Sequence, residues 1–190
     1  MTVTRILGID LGDRRIGLAI ADPDGPAMAL MTLSRAATPA LDAEALARIV
    51  AEQRATEIVV GLPLHASGAE GHQTELTRAW VAAVQPIVGL PVVFRDERLT
   101  SHLAEQRLGP MKRGRSGGPP TRSQREAYRG RVDREAAAII LQDELDARAT
   151  ARIGEGGTGG GPTGRGSAQR QTGGEEVGGP TDGGSVETNR

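Results

Sequence analysis

At 190 residues with a formal net charge of −1, the chain has room for one ordinary domain with an appendage, and carries no global basic field for a polyanion. It contains no cysteine, which excludes disulfides, thiolate zinc centres and cysteine nucleophiles. No leader pattern opens it and no run approaches the roughly 18 consecutive apolar residues of a membrane span, so a cytoplasmic location is expected and no membrane partner.

Arg5–Leu11 and Ile16–Ala21 read as strands joined by the polar turn Gly12-Asp13-Arg14-Arg15, hence a hairpin. Ala27–Leu33 follows as a third strand after the Pro23-Asp24-Gly25 turn. A helix runs from Asp42 to about Arg54, with Ala45, Leu46, Ile49 and Val50 at helical spacing and Thr38 or Asp42 as its cap. Glu57–Gly61 is a short strand apolar on both faces, as the centre of a covered sheet requires. Beyond the Pro63–Gln73 loop, a helix from Glu75 to about Val88 is expected to bury Leu76, Trp80, Ala83, Val84 and Ile87. Pro91–Asp96 is a fifth strand ending at Glu97, and Thr100 or Ser101 caps a short helix through Leu108. Residues 109–131 have almost nothing apolar and read as a long flexible loop, followed by a helix from Val132 to about Arg148.

This order, three strands in hairpin sequence and then alternating helix and strand, specifies an α/β fold: a mixed five-stranded sheet flanked by helices. From about Ile153 the composition turns to Gly, Thr, Pro, Ser and Gln, and this stretch holds more than half of the 27 glycines. It cannot repay the entropy of ordering its backbone. The expected domains are therefore a folded unit over 1–151 and a disordered Gly-rich C-terminal tail over 152–190.

Three acids stand where solvation does not explain them. Asp10 lies in an apolar strand with Gly8 and Gly12 two residues either side, and the glycines would let a ligand approach that face. Glu97 ends the fifth strand. Asp133 opens the last helix on the face that Ala137, Ile140, Leu141 and Leu145 commit to the sheet, so it points toward the strand ends. If the three converge, two of their charges about 4 Å apart repel by roughly 4 kcal/mol at an effective dielectric of 20. Such a cluster either protonates or binds cations. Oxygen ligands suit Mg²⁺ or Mn²⁺, and two such ions about 3.5–4 Å apart can clamp a scissile phosphodiester. The plainer readings are a helix-end acid for Asp133 and a surface ion pair for Glu97, which sits in Arg95-Asp96-Glu97-Arg98.

Lys112, Arg113, Arg115, Arg122, Arg125, Arg129 and Arg131 lead directly into Asp133, with Glu126 the only acid among them. Against a carboxylate-metal site such a run would hold a polyanionic backbone, with Arg15, Arg5 and Arg14 adding to the rim. Trp80, Tyr128 and Phe94 are the only aromatics, too few for base-stacking platforms, so phosphate and shape contacts are expected. His65 and His72 lie in the loop after the fourth strand and can reach a substrate there; they and His102 are otherwise ordinary exposed histidines.

On these residues the chain resembles the YqgF family of ribonuclease H-like proteins, Holliday-junction-resolvase homologues also described as pre-16S ribosomal RNA nucleases. Gly8-Ile9-Asp10-Leu11-Gly12-Asp13-Arg14-Arg15-Ile16-Gly17-Leu18-Ala19 is similar to the family's first block, and Val60-Gly61-Leu62-Pro63 with Gly68 to its second. Asp96-Glu97-Arg98-Leu99-Thr100-Ser101 is similar to the third. Arg129-Gly130-Arg131-Val132-Asp133, with Ala136-Ala137 and Ile139-Ile140-Leu141, is similar to the fourth. The resemblance spans residues 5–147 and implies a ribonuclease H-like fold. It also implies Asp10, Glu97 and Asp133 as a metal-binding catalytic triad, and a part in maturing the 5′ end of 16S ribosomal RNA. The Gly117-Gly118-Pro119-Pro120 loop and the tail depart from the family pattern. Structured RNA, the precursor of 16S rRNA, is thus the expected partner. Branched DNA for a junction resolvase, which needs a symmetric dimer, and a non-catalytic nucleic-acid-binding domain are the alternatives; an actin-like ATPase would need a second such domain.

Overall fold

Three antiparallel strands and two parallel ones build one mixed sheet in the computed structural model of the chain, which describes residues 4–65, 67–97, 100–111 and 119–155. Strands β1 (Arg5–Leu11) and β2 (Arg15–Ala21) are antiparallel, turned by a hydrogen bond from the Gly12 N–H to the Arg15 carbonyl at 2.9 Å. Strand β3 (Met28–Ser34) pairs antiparallel with β2, while β4 (Ala55–Leu62) and β5 (Val92–Asp96) continue parallel to β1. The sheet order is β3-β2-β1-β4-β5. Helices α1 (Pro39–Gln53), α2 (His72–Val88), α3 (Thr100–Leu108) and α4 (Arg122–Glu155) flank it. This is the expected mixed five-stranded α/β sheet, and its residues belong to one unit, Met1–Gly156.

Alternation along the strands assigns each face its helices. Leu7, Ile9, Ile16, Leu18, Ile58 and Val60 pack with Leu46 and Ile49 of α1 and with Trp80, Val81 and Val84 of α2. The opposite face, with Ile6, Ala19, Ala21 and Val59, packs on Ala137, Ile140, Leu141 and Leu145 of α4. A smaller cluster of Ala104, Val132, Ala136 and Ile139 fixes α3 against α4. Arg148 clamps the far end of α4, donating to Glu57 of β4 at 2.9 Å and to Glu144 at 2.8 Å.

Several elements differ from the sequence expectation. Helix α1 starts at Pro39 behind the Thr38 cap, whose hydroxyl accepts from the Leu41 N–H at 3.4 Å. Asp42 is not a cap but a buried acceptor, bonded by Arg35 Nε at 2.8 Å, the Ala36 N–H at 2.7 Å and Trp80 Nε1 at 3.0 Å. Helix α2 is rotated from its expected phase: Thr74, Thr77, Trp80, Val81 and Val84 are buried, whereas Leu76, Ala83 and Ile87 face solvent. The threonines are tolerated because their hydroxyls donate to the Pro63 and Gln73 carbonyls. Helix α4 begins at Arg122, ten residues before the expected Val132, so residues 122–131 are helical. It also takes in residues 152–155, which composition had assigned to the tail; residues 156–190 lie outside the described residues. Among the described residues, no helix is long and apolar enough to cross a membrane.

Candidate active site

Three glycines shape the C-terminal end of β1. Asp10 sits on the α4 face of the sheet and pairs across the hairpin with Gly17. A Cβ on Gly17 would lie 2.0 Å from the Asp133 carbonyl oxygen, so the helix backbone rests directly on β2 and delivers Asp133 beside Asp10. Gly8 admits α4 one turn further along: a Cβ there would meet Leu141 Cβ at 2.8 Å and the Ala137 carbonyl at 2.9 Å. On the other side of β1, a Cβ on Gly61 would sit 2.1 Å from Glu97 Oε2. The Glu97 carboxylate therefore lies over β4, next to the strand that carries Asp10. Its backbone is fixed by an N–H bond to the Leu62 carbonyl at 3.3 Å and by the Thr100 N–H donating to its carbonyl at 3.0 Å.

This corrects the reading of the glycines around Asp10. Gly8 makes room for a helix rather than for a ligand, and Gly12 sits in a tight turn in which a Cβ would be 3.1 Å from the Arg15 carbonyl. Asp133 is not a helix-end acid, because α4 begins at Arg122, about three turns earlier, beyond the reach of the helix-end charge. Nor is Glu97 a surface ion pair: its Oε2 is buried and has no hydrogen-bond partner among the described residues.

Burial, reinforced by the Asp133 charge, pushes Asp10 up to about 7. Burial again, then the charges of Asp10 and Asp96, pushes Glu97 up to about 8. The order of causes matters: the dominant cost is lost water, and the neighbouring acids add to it. Asp133 is held differently. Arg15 Nε donates a hydrogen bond to its Oδ2, and the two side chains are 26 % and 22 % exposed. With Asp133 turned to Arg15, no three Asp, Glu or His side chains stand close enough to cage a single ion among the described residues. Among the described residues, Asp10 and Glu97 form the uncompensated part of the cluster. An all-oxygen donor set with an orphaned carboxylate oxygen fits a hard divalent cation, which would repay the desolvation that no protein group among the described residues repays.

The basic candidates divide. Lys112, Arg113 and Arg115 lie outside the described residues. Arg129 and Arg131 are exposed on α4, and at about 100° per residue Arg122, Arg125 and Arg129 share the side of α4 that carries Asp133 while Arg131 points roughly 160–200° away. Arg122 pairs with Glu126 at 3.0 Å. Arg5 pairs with Asp22 at 3.2 Å, at the opposite end of β1 from Asp10, and so takes no part in the rim. His72 lies 3.8 Å from Glu75 and is mostly exposed; His102 bonds Gln106 at 2.9 Å. His65 packs over Gly71, where a Cβ would be 2.3 Å from its Nε2. Sequence reasoning missed the parts played by Gly17 and Gly61; the signal available was a glycine inside each of two otherwise apolar strands.

Residues 4–147 match the model of the RuvX family, described as Holliday junction resolvase. A relative from Anaeromyxobacter sp. (strain K), named "Putative pre-16S rRNA nuclease", is 44% identical over 146 residues, covering 76% of this chain and 98% of its own length. One of the same name from Chloroflexus aggregans is 40% identical over 148 residues, covering 78% of this chain and 97% of the relative. Among solved structures, T. thermophilus RuvC in complex with Holliday junction substrate aligns at a TM-score of 0.45 and 16% identity, over 77% of this chain and 96% of that one, too loosely to add an argument. With all but a few residues of its sheet and helices inside the matched span, the chain belongs to the RuvX (YqgF) family of nucleases.

Proposed function

We propose that the chain is a metal-dependent endonuclease that cuts structured RNA, the precursor of 16S ribosomal RNA, with Asp10, Glu97 and Asp133 as its catalytic carboxylates. The relatives' names supply the substrate class, and cytoplasmic ribosome assembly is the setting it implies. The observation that carries the site is Glu97 Oε2, buried over Gly61 with no partner among the described residues, one strand away from Asp10, which is also desolvated. Asp10 and Glu97 would hold Mg²⁺ or Mn²⁺, with Asp133 the third ligand; a pair of ions suits three carboxylates acting on one phosphodiester. When bound, such ions supply Lewis-acid stabilisation of the phosphate and a more acidic water.

The chain's own groups do the positioning. Arg125 and Arg129, on the Asp133 side of α4, would hold the backbone phosphates that flank the scissile bond. No aromatic among the described residues is free to stack on a base. Trp80 is buried and donates to Asp42, Tyr128 donates to the Gly109 carbonyl at 2.8 Å, and Phe94 lies beneath Arg78 at 4.9 Å. Recognition therefore rests on phosphates and shape, which suits folded RNA helices whose grooves hide base identity.

The family description favours a second reading, a four-way DNA junction as substrate. Both are tested by one assay with Mg²⁺ or Mn²⁺, offering precursor 16S RNA and a four-way DNA junction side by side. The expected outcome is cleavage of the RNA near the mature 5′ end and an intact junction. Cleavage of the junction alone would establish the resolvase reading. Failure on both by protein that binds the metal would leave a binding domain.

A further inference from the structure

We infer that Arg15 is the resident counter-ion of Asp133, which a divalent cation has to displace before Asp133 can join Asp10 and Glu97 as a ligand. The inference rests on the metal-site reading above and adds to it a positioning residue that sets how tightly the metal binds. The three carboxylates are unequally compensated: Arg15 Nε bonds Asp133 Oδ2, while Glu97 Oε2 has no partner among the described residues. Arg15 opens β2 two residues before Gly17, so both lie on the α4 face, where the Asp133 backbone rests on Gly17. The guanidinium is thereby aimed at the same helical turn that delivers the acid.

The helix at that turn is pinned independently of the ion pair. Thr32 of β3 donates to the Gly130 carbonyl at 2.6 Å, and Gly17 holds the Asp133 carbonyl from below. Exchange of Arg15 for a cation therefore requires the Asp133 side chain to change partner and leaves α4 in place. The pair is partly exposed, at 26 % and 22 %, so water can take over the released guanidinium. Such a pair is weak enough to be exchanged, which a fully buried one would not be. Arg15 thus neutralises one acid until metal arrives and sets a threshold for its binding.

The test is a calorimetric titration of Mn²⁺ at pH 8 into four proteins: wild type, Arg15→Gln, Asp133→Asn and the double variant, each first shown to be folded by circular dichroism. Arg15→Gln is expected to bind Mn²⁺ about three- to tenfold more tightly than wild type, the range an exchangeable ion pair supports. Because Arg15 acts through Asp133, the double variant should bind no more tightly than Asp133→Asn alone. Unchanged or weaker binding by Arg15→Gln overturns the inference and makes Arg15 a structural support for the third ligand. Equal tightening in the Asp133→Asn background overturns it too, since Arg15 would then act only through its distant field. If neither wild type nor Arg15→Gln binds Mn²⁺, the metal-site reading itself falls, a failure distinct from the other two.

Discussion

Asp10→Asn is expected to lower metal-dependent cleavage by about a thousandfold or more while leaving the fold intact. Losing one carboxylate ligand removes several kcal/mol of charge stabilisation from the reacting phosphate, and each 1.36 kcal/mol is a factor of about ten. The fall should appear in kcat as well as kcat/KM, because the phosphate contacts proposed for Arg125 and Arg129 of α4 are untouched by the substitution. Asparagine keeps the shape of aspartate and removes a charge that burial and Asp133 already oppose. Thermal stability at pH 8 should therefore hold or rise. Cleavage by the variant within about tenfold of wild type would remove Asp10 from the chemistry. Lost cleavage with a lowered Tm would mean only a damaged fold.

The second large effect is structural. Gly17→Ala places a methyl group 2.0 Å from the Asp133 carbonyl oxygen and 2.3 Å from its carbon. Both are backbone atoms, so no rotamer change relieves the clash, and α4 has to lift from β2. Lifting loosens contacts at two other glycine seats, Leu141 over Gly8 and Ile140 over Gly61. Overpacking of this kind costs roughly 3 kcal/mol or more, and it carries Asp133 away from Asp10. The expected result is an unfolding free energy lowered by that amount, read as a lower urea midpoint, and Mn²⁺ affinity reduced at least about tenfold. Gly25→Ala, whose nearest neighbour would be Asp22 Cβ at 3.6 Å, is the control and should stay within about 1 kcal/mol. Equal stability of the two variants would show that α4 does not depend on the Gly17 seat.

These effects also show which features were legible in the sequence. The Asp10 strand, the hairpin turn and the apolar Ile58-Val59-Val60 run announce themselves, because a two-residue period and a lone buried charge are local patterns. The phase of α2 was not legible: its buried face is lined by Thr74 and Thr77, polar residues made tolerable only by carbonyls from Pro63 and Gln73. The first ten residues of α4 were missed for the converse reason. Their lack of apolar residues suggested a loop, yet Arg, Gln, Glu and Ala are good helix formers, and the buried half beyond Val132 nucleates the helix they extend. Of the candidate site, the three acids stand out in the sequence by their improbable places. Their mutual geometry could not, since it depends on glycines in β2 and β4 that act across the sheet, and on an Arg15 side chain that reaches a residue 118 positions later.

Asp10 and Glu97 are proposed to be held together at an energetic cost that a bound cation relieves. Both are raised, from 3.8 to about 7 and from 4.5 to about 8, so between roughly pH 4 and pH 8 the folded chain binds more protons than the unfolded one. Stability from these groups is then full below the unfolded values, is lost as pH climbs through the folded ones, and stays low above pH 8. The measurement is urea unfolding of wild type and Glu97→Gln across pH 4 to 9, with and without Mn²⁺. Without metal, wild type should lose stability relative to Glu97→Gln as pH rises, by a few kcal/mol, and Mn²⁺ should restore it in wild type alone. A wild-type curve parallel to that of Glu97→Gln, unmoved by Mn²⁺ at pH 8, would show that Asp10 and Glu97 carry no such cost and hold no cation.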